Sequence, residues 1–148
     1  MPMPTFTRPH TGPVSALIGT ETGYSRTVSD YDIYAFAGIS GDNHPNHTDE
    51  EYCKRLGMGG RIAQGAMFVA YMAGAVTKYL DMVGRPAVSY GYDRVRFTKP
   101  VHIGDTVTLR YVIVRADDEK KRLWADCTIT NQRGETVCVG THIIHFQV

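Results

Sequence analysis

Residues 66–76 read AMFVAYMAGAV and carry no charged side chain. Wound into a helix, such a stretch has no polar face, so it predicts a helix buried on every side. The helix is expected to begin near Arg61 or Ile62 and to end near Met82. Ala66, Ala70, Ala73 and Gly74 form a stripe of small residues along it, which lets another backbone approach closely. Few arrangements surround a whole helix within one domain, and a curved sheet wrapped around it is one of them.

The chain after the helix supplies such a sheet. Residues 88–97, 106–115, 122–130 and 136–146 are rich in β-branched and aromatic side chains and read as strands. Val107, Leu109, Tyr111 and Ile113 alternate along one of them, and Leu123, Ala125, Cys127 and Ile129 along the next. Asp117-Asp118-Glu119-Lys120 and Asn131-Gln132-Arg133-Gly134 read as hairpin turns, and Gly104-Asp105 breaks the chain after Pro100. Upstream, Tyr24, Arg26 and Val28 alternate with Ser25, Thr27 and Ser29, which predicts a short first strand. The order is strand, helices, then four antiparallel strands. That is an α+β domain and not a doubly wound parallel sheet.

Two shorter helices are expected between the first strand and the long helix. Ser29 caps the first, with Asp32 at its third position and Ile33, Phe36 and Ala37 on its apolar side. Residues 40–47, SGDNHPNH, form a polar loop of turn formers. Thr48 with Glu51 then reads as a capping box for the second helix, which ends in Gly57-Met58-Gly59-Gly60. Residues 1–22 lack periodicity and are expected to be irregular, the whole of 1–148 forming one domain.

Composition excludes several functions. The 148 residues are 43% hydrophobic and 21% charged, and the formal net charge is +1. A chain of this length buries roughly 70% of its unfolded surface and needs no disulfide or metal to hold a core. Without a basic block or arm, no nucleic-acid partner is expected. Cys53, Cys127 and Cys138 are odd in number and lack metal-ligand spacing, so they read as packed thiols in a reducing, cytoplasmic setting. The N-terminus lacks the basic and apolar regions of a signal peptide, and the longest apolar run is too short to span a bilayer, so no membrane partner is expected.

Asp42 and His47 are the candidate chemistry. A carboxylate and an imidazole on one bent loop can converge on a water molecule, take its proton and return one to a neighbouring carbon. The plainer reading of the same residues is an Asx turn and a helix cap. Gly65, at the start of the long helix, offers a backbone N–H that could hold a thioester carbonyl as it gains enolate charge, and helix packing alone could also require it. Asp42, His44 and His47 are metal-ligand types without a second cluster, so no metal is expected. Gly57-Met58-Gly59-Gly60 lacks the strand–helix setting of a dinucleotide loop. His142 and His145 should point to opposite faces of a strand, and His10 and His102 have no evident partner.

Three blocks of sequence bear a joint resemblance. Residues 36–49, FAGISGDNHPNHTD, resemble the F-A-x-x-S-G-D-x-N-P-[LIM]-H-x-D signature of the MaoC-like (R)-specific enoyl-CoA hydratases. Residues 60–65, GRIAQG, are similar to that family's G-x-I-A-H-G, and residues 97–106, FTKPVHIGDT, to its F-x-x-P-V-x-x-G-D-T. The blocks keep the family order and span most of the chain after residue 30.

The resemblance implies a hot-dog fold, an antiparallel sheet around a long central helix, assembled as a homodimer or higher homo-oligomer. It implies that Asp42 and His47 hold the catalytic water, that the Gly65 N–H stabilises the enolate, and that Gln64, Ser40 and Asn43 border the substrate. Arg61, Arg94 and Lys99 become candidates for the phosphates of a CoA-type thioester, while ordinary surface charge also accounts for them. No cofactor is implied beyond the CoA or acyl-carrier thioester that carries the substrate. The chain departs from the family pattern at His44, Asn46 and Gln64, a more polar neighbourhood that would favour a short or polar acyl group. A thioesterase on the same fold, or an acyl-thioester binding module without catalysis, are the competing expectations.

Overall fold

The computed structural model describes residues 9–147. One 3-10 turn (Val14–Leu17) precedes strand β1 (Glu21–Thr27) and helices α1 (Asp30–Ser40), α2 (Pro45–Thr48), α3 (Glu50–Arg55) and α4 (Met67–Val83). Strands β2 (Ala87–Phe97), β3 (Thr106–Asp117), β4 (Arg122–Asn131) and β5 (Thr136–Phe146) follow. The five strands form one antiparallel sheet in the order β1-β3-β4-β5-β2.

Alternation along the strands produces the core. Leu109, Tyr111 and Ile113 lie opposite Ile129, Cys127 and Ala125, and all six are buried on the face that receives α4. Helix α4 meets them with Met72, Ala75, Tyr79 and Val83, and the rings of Tyr79 and Tyr111 sit 5.8 Å apart. Each fully buried apolar side chain of this kind contributes roughly 1.5–3 kcal/mol. All three cysteines are free and buried.

The structure corrects five local expectations. Helix α4 starts at Met67, because Ile62 instead bridges to His102 as extended backbone and Ala63 N–H donates to the Val101 carbonyl. It is not buried all round: Ala66, Ala70, Ala73 and Gly74 are exposed, since the sheet covers one side of the helix. Thr48 does not cap α3. Pro45 at the first helical position opens a separate turn that ends at Thr48, and Asp49 becomes the cap, accepting from Tyr52 N–H. Residues 9–22 are not wholly irregular, since they hold the 3-10 turn and the start of β1; residues 1–8 lie outside the described residues. Strand β1 accordingly spans Glu21–Thr27, and Val28 lies beyond it, its N–H donating to the Asp105 carbonyl.

Other readings hold. Ser29 and Asp32 form a full capping box on α1. His142 is buried facing the helix, whereas His145, on the opposite face, is part-exposed. The reading of His10 and His102 does not hold: each has a partner, His102 Nε2 lying 3.1 Å from the Met58 carbonyl, where it ties down the glycine-rich turn, and His10 Nε2 3.1 Å from the Pro13 carbonyl.

Candidate active site

Helix α1 ends at Gly41, whose φ of 79° is the left-handed conformation that glycine adopts without a Cβ penalty. The reversal sends Asp42 back across the helix end. Ser40 Oγ donates to the Phe36 carbonyl at 2.6 Å and accepts the Asp42 N–H at 3.1 Å. Ser40 thus braces the loop, and the Asp42 carboxylate, 45% exposed, accepts no hydrogen bond among the described residues.

Turn α2 carries His47 inward. Thr48 Oγ1 donates to the Asn43 carbonyl at 3.3 Å, and the His47 N–H donates to the His44 carbonyl at 2.9 Å. The His47 imidazole is 9% exposed, and its Nδ1 lies 2.7 Å from the Ile62 carbonyl oxygen. A carbonyl only accepts, so Nδ1 carries a proton, and in the tautomer this contact selects Nε2 is the acceptor. That Nε2 faces Asp42 Oδ2 at 3.6 Å. This separation is too long for a direct hydrogen bond and leaves two acceptors converging on one position.

The segment entering α4 holds this loop from below. Asn46 C=O accepts the Ile62 N–H at 3.1 Å, and the Gln64 side chain reaches the Asp42 carbonyl at 3.2 Å. The N–H groups of Gly65 and Ala66 have no acceptor among the described residues, because the first bonds of the helix entry run from Met67 and Phe68 back to the carbonyls of Gln64 and Gly65. They lie at the positive end of a 17-residue helix.

A cleft opens beside His47. Its walls are Ile62, Ala63, Gly65, Phe68, Phe97, Thr98, Lys99, Pro100 and Val101, around a volume of about 320 Å³. The lining is mostly apolar. His44 and Asn46 do not reach it: His44 Nδ1 lies 2.7 Å from Asn46 Oδ1, and the His44 ring meets Tyr52 edge-on. Two of the three departures, His44 and Asn46, thus pair with each other and do not line the cleft. Gln64 is fully buried behind the cleft, and Asn43 is exposed on the loop.

The three candidate cations separate. Lys99 lines the cleft and donates to Glu135 at 2.6 Å. Hydrogen bonds from Asn131, Lys99 and Arg133 hold the Glu135 carboxyl down to about 2, so this ion pair persists through neutral pH. Arg61 is engaged by Asp30, Glu50 and the Tyr34 hydroxyl. Arg94 sits at a bulge of β2, in a groove with Trp124 and Asp126 on the sheet face away from α4. Sequence reasoning missed the Ile62 carbonyl and the Phe97 ring. A backbone acceptor leaves no mark on residue type, and Phe97 was visible as a strand residue and as the first position of the F-x-x-P-V block, with no role attached to its ring.

Among the described residues no three His, Cys, Asp or Glu side chains gather as a metal site, and no helix is long and apolar enough to cross a membrane.

Comparison with known proteins gives the family. The (R)-specific enoyl-CoA hydratase of Rhodospirillum rubrum is 33% identical over 103 residues, covering 70% of this chain and 69% of that protein. The 3-hydroxybutyryl-CoA dehydratase of Methylorubrum extorquens is 30% identical over 112 residues, covering 75% and 69%. The unliganded R-hydratase PhaJ1 of Pseudomonas aeruginosa superimposes with a TM-score of 0.80 at 27% identity, over 90% of this chain and 84% of that one. The MaoC like domain family matches residues 15–132, and the chain is a hot-dog-fold member of that family.

Proposed function

We propose that the chain adds water to, or removes it from, a 2-enoyl or 3-hydroxyacyl thioester of the CoA type, with Asp42 and His47 as the catalytic pair. The observation that carries this reading is the 3.6 Å approach of two acceptors, His47 Nε2 and Asp42 Oδ2, at the cleft. One water donating to both would present its oxygen lone pair to the β-carbon of a bound enoyl group.

The balance is simple. The water oxygen bonds to C3, the C2=C3 π pair moves to the thioester oxygen as an enolate, and one water proton passes to the pair. The pair delivers a proton to C2 as the enolate collapses, leaving a 3-hydroxyacyl thioester; dehydration is the reverse. The free Gly65 N–H at the α4 entry is the donor for the enolate oxygen, a contribution of about 2.7–4 kcal/mol for such groups. Ile62, Phe68, Phe97 and Val101 exclude bulk water, and Lys99 at the cleft is the cation for a carrier phosphate. Hydrolysis to free thiol has no observation in its favour here.

The same reading includes a homodimer. Among the described residues strand β2 pairs only with β5, which leaves its other edge unpaired there, and Tyr90, Val88 and Phe97 of this strand are exposed. A second copy pairing there would extend the sheet and cover the Ala66, Ala70, Ala73 and Gly74 stripe. The test of function is a panel of 2-enoyl-CoA thioesters, followed by loss of conjugated absorbance with a parallel thiol assay. Absorbance loss without thiol release supports hydration; thiol release rejects it.

A further inference from the structure

We propose that Gln64 is a positioning residue that sets the Asp42 carboxylate through the main chain, and that it makes no contact with substrate. The inference rests on the hydratase reading for its kinetic consequence but not for its geometry.

Gln64 has no exposed surface, and its Nε2 lies 3.0 Å from the Ile33 carbonyl and 3.2 Å from the Asp42 carbonyl. Both carbonyls only accept, so both hydrogens of the amide nitrogen are committed and the amide has one permitted orientation. A flipped amide would set Oε1 against two carbonyl oxygens. In the orientation present, Oε1 is buried without a partner among the described residues. An unpaired buried acceptor is costly, and the site retains one in order to supply both donors.

One donor ties Gln64 to α1 through Ile33, and the other, with Ser40, clamps the main chain of Asp42 on both sides. The Asp42 N–H is held by Ser40 Oγ and its C=O by Gln64, while its carboxylate has no donor among the described residues. Among the described residues no hydrogen bond aims that side chain, so the backbone that carries it sets its 3.6 Å approach to His47 Nε2. Two residues upstream, the Ile62 carbonyl fixes the His47 ring. The four residues 62–65 therefore place His47 by a carbonyl, Asp42 by a side-chain amide, and the Gly65 N–H directly. The Ala63 N–H bond to Val101 anchors the segment to the strand side of the cleft.

Gln64→Met keeps length and removes both donors. Its crystal structure should show the Asp42 carboxylate displaced from its 3.6 Å station beside His47 Nε2 while α1 and α4 stay in place. With an accepted enoyl thioester, kcat should fall roughly 10- to 100-fold and KM stay within about twofold, the pattern of a misplaced catalytic group. Gln64→His, which returns one donor, should recover part of kcat. An unmoved carboxylate overturns the proposal. So does a raised KM at unchanged kcat, which would make Gln64 a substrate contact, or a lowered Tm with kcat intact, which would make it purely structural. If the wild type turns over no enoyl thioester, the functional reading fails, and the displacement of Asp42 still decides this one.

Discussion

The Phe97 ring lies so close over Gly65 that a β-carbon on Gly65 would stand 2.6 Å from Phe97 Cδ2. Contact at that distance is not tolerated, so one of the two must move. Phe97 is 51% exposed and has room to swing outward, which limits the cost in stability. Gly65→Ala is therefore expected to open the cleft wall and lower kcat/KM by roughly tenfold with a small change in Tm. In a Phe97→Ala background the added methyl has no clash to relieve, so the same substitution should cost much less there. Steady-state kinetics of the four proteins measure this coupling.

His142 makes stability depend on pH. Burial pushes its imidazole down to about 4, with Ser89 Oγ 2.6 Å from Nε2, the Tyr111 hydroxyl 3.0 Å from Nδ1 and the Tyr92 ring stacked at 4.3 Å. The folded state thus binds the proton more weakly than the unfolded chain, whose histidine titrates near 6.5. Its stabilisation is complete above pH 6.5 and is lost as pH falls towards 4, by about 3 kcal/mol in all. Urea unfolding between those pH values should show that decline, and His142→Gln should flatten it.

Asp32 acts at lower pH. Burial opposes its charge, but the Arg26 guanidinium and the Ser29 N–H and hydroxyl outweigh burial and hold the carboxyl below its ordinary value. That stabilisation is present above the unfolded carboxyl's pKa, near 4, and disappears as pH falls through the folded value. Asp32→Ala is expected to cost about 1–3 kcal/mol at pH 7, with the half-exposed Arg26 keeping it towards the lower end. Denaturant titration at pH 7 and pH 3 should find a smaller difference at the acid value.

The exposed α4 stripe tests the assembly. Ala70→Arg places a long cation where a second copy would pack, so a homodimer should dissociate and activity fall with it. Sedimentation of both proteins decides: a wild type that is monomeric at micromolar concentration removes the dimer from the account.

What could be read in the sequence follows from where the information resides. The inner face of β3 and β4 was legible because Leu109 to Ile113 and Leu123 to Ile129 alternate, and a sheet has only two sides. Asp42, His47 and Gly65 stood out because the loop and the helix entry repeat a family pattern. The cap of α3 slipped by one residue because Thr48 and Asp49 both precede acidic residues, and only the turn opened by Pro45 separates them. The direction of Gln64 was illegible, since two carbonyls from α1 and the loop beyond it determine it. The exposure of Ala70 and Ala73 was also out of reach, because a small-residue stripe has the same composition whether its own sheet or another chain covers it.

The central claim is that Asp42 and His47 act as a unit on one water molecule, and a double-mutant cycle on hydration measures that directly. Asp42→Asn, His47→Gln and the double variant should each lose roughly the same large factor in kcat, because the pair cannot pass a proton between water and C2 once either base is gone. Losses that multiply in the double variant, or hydration that survives Asp42→Asn at near wild-type rate, would contradict the account.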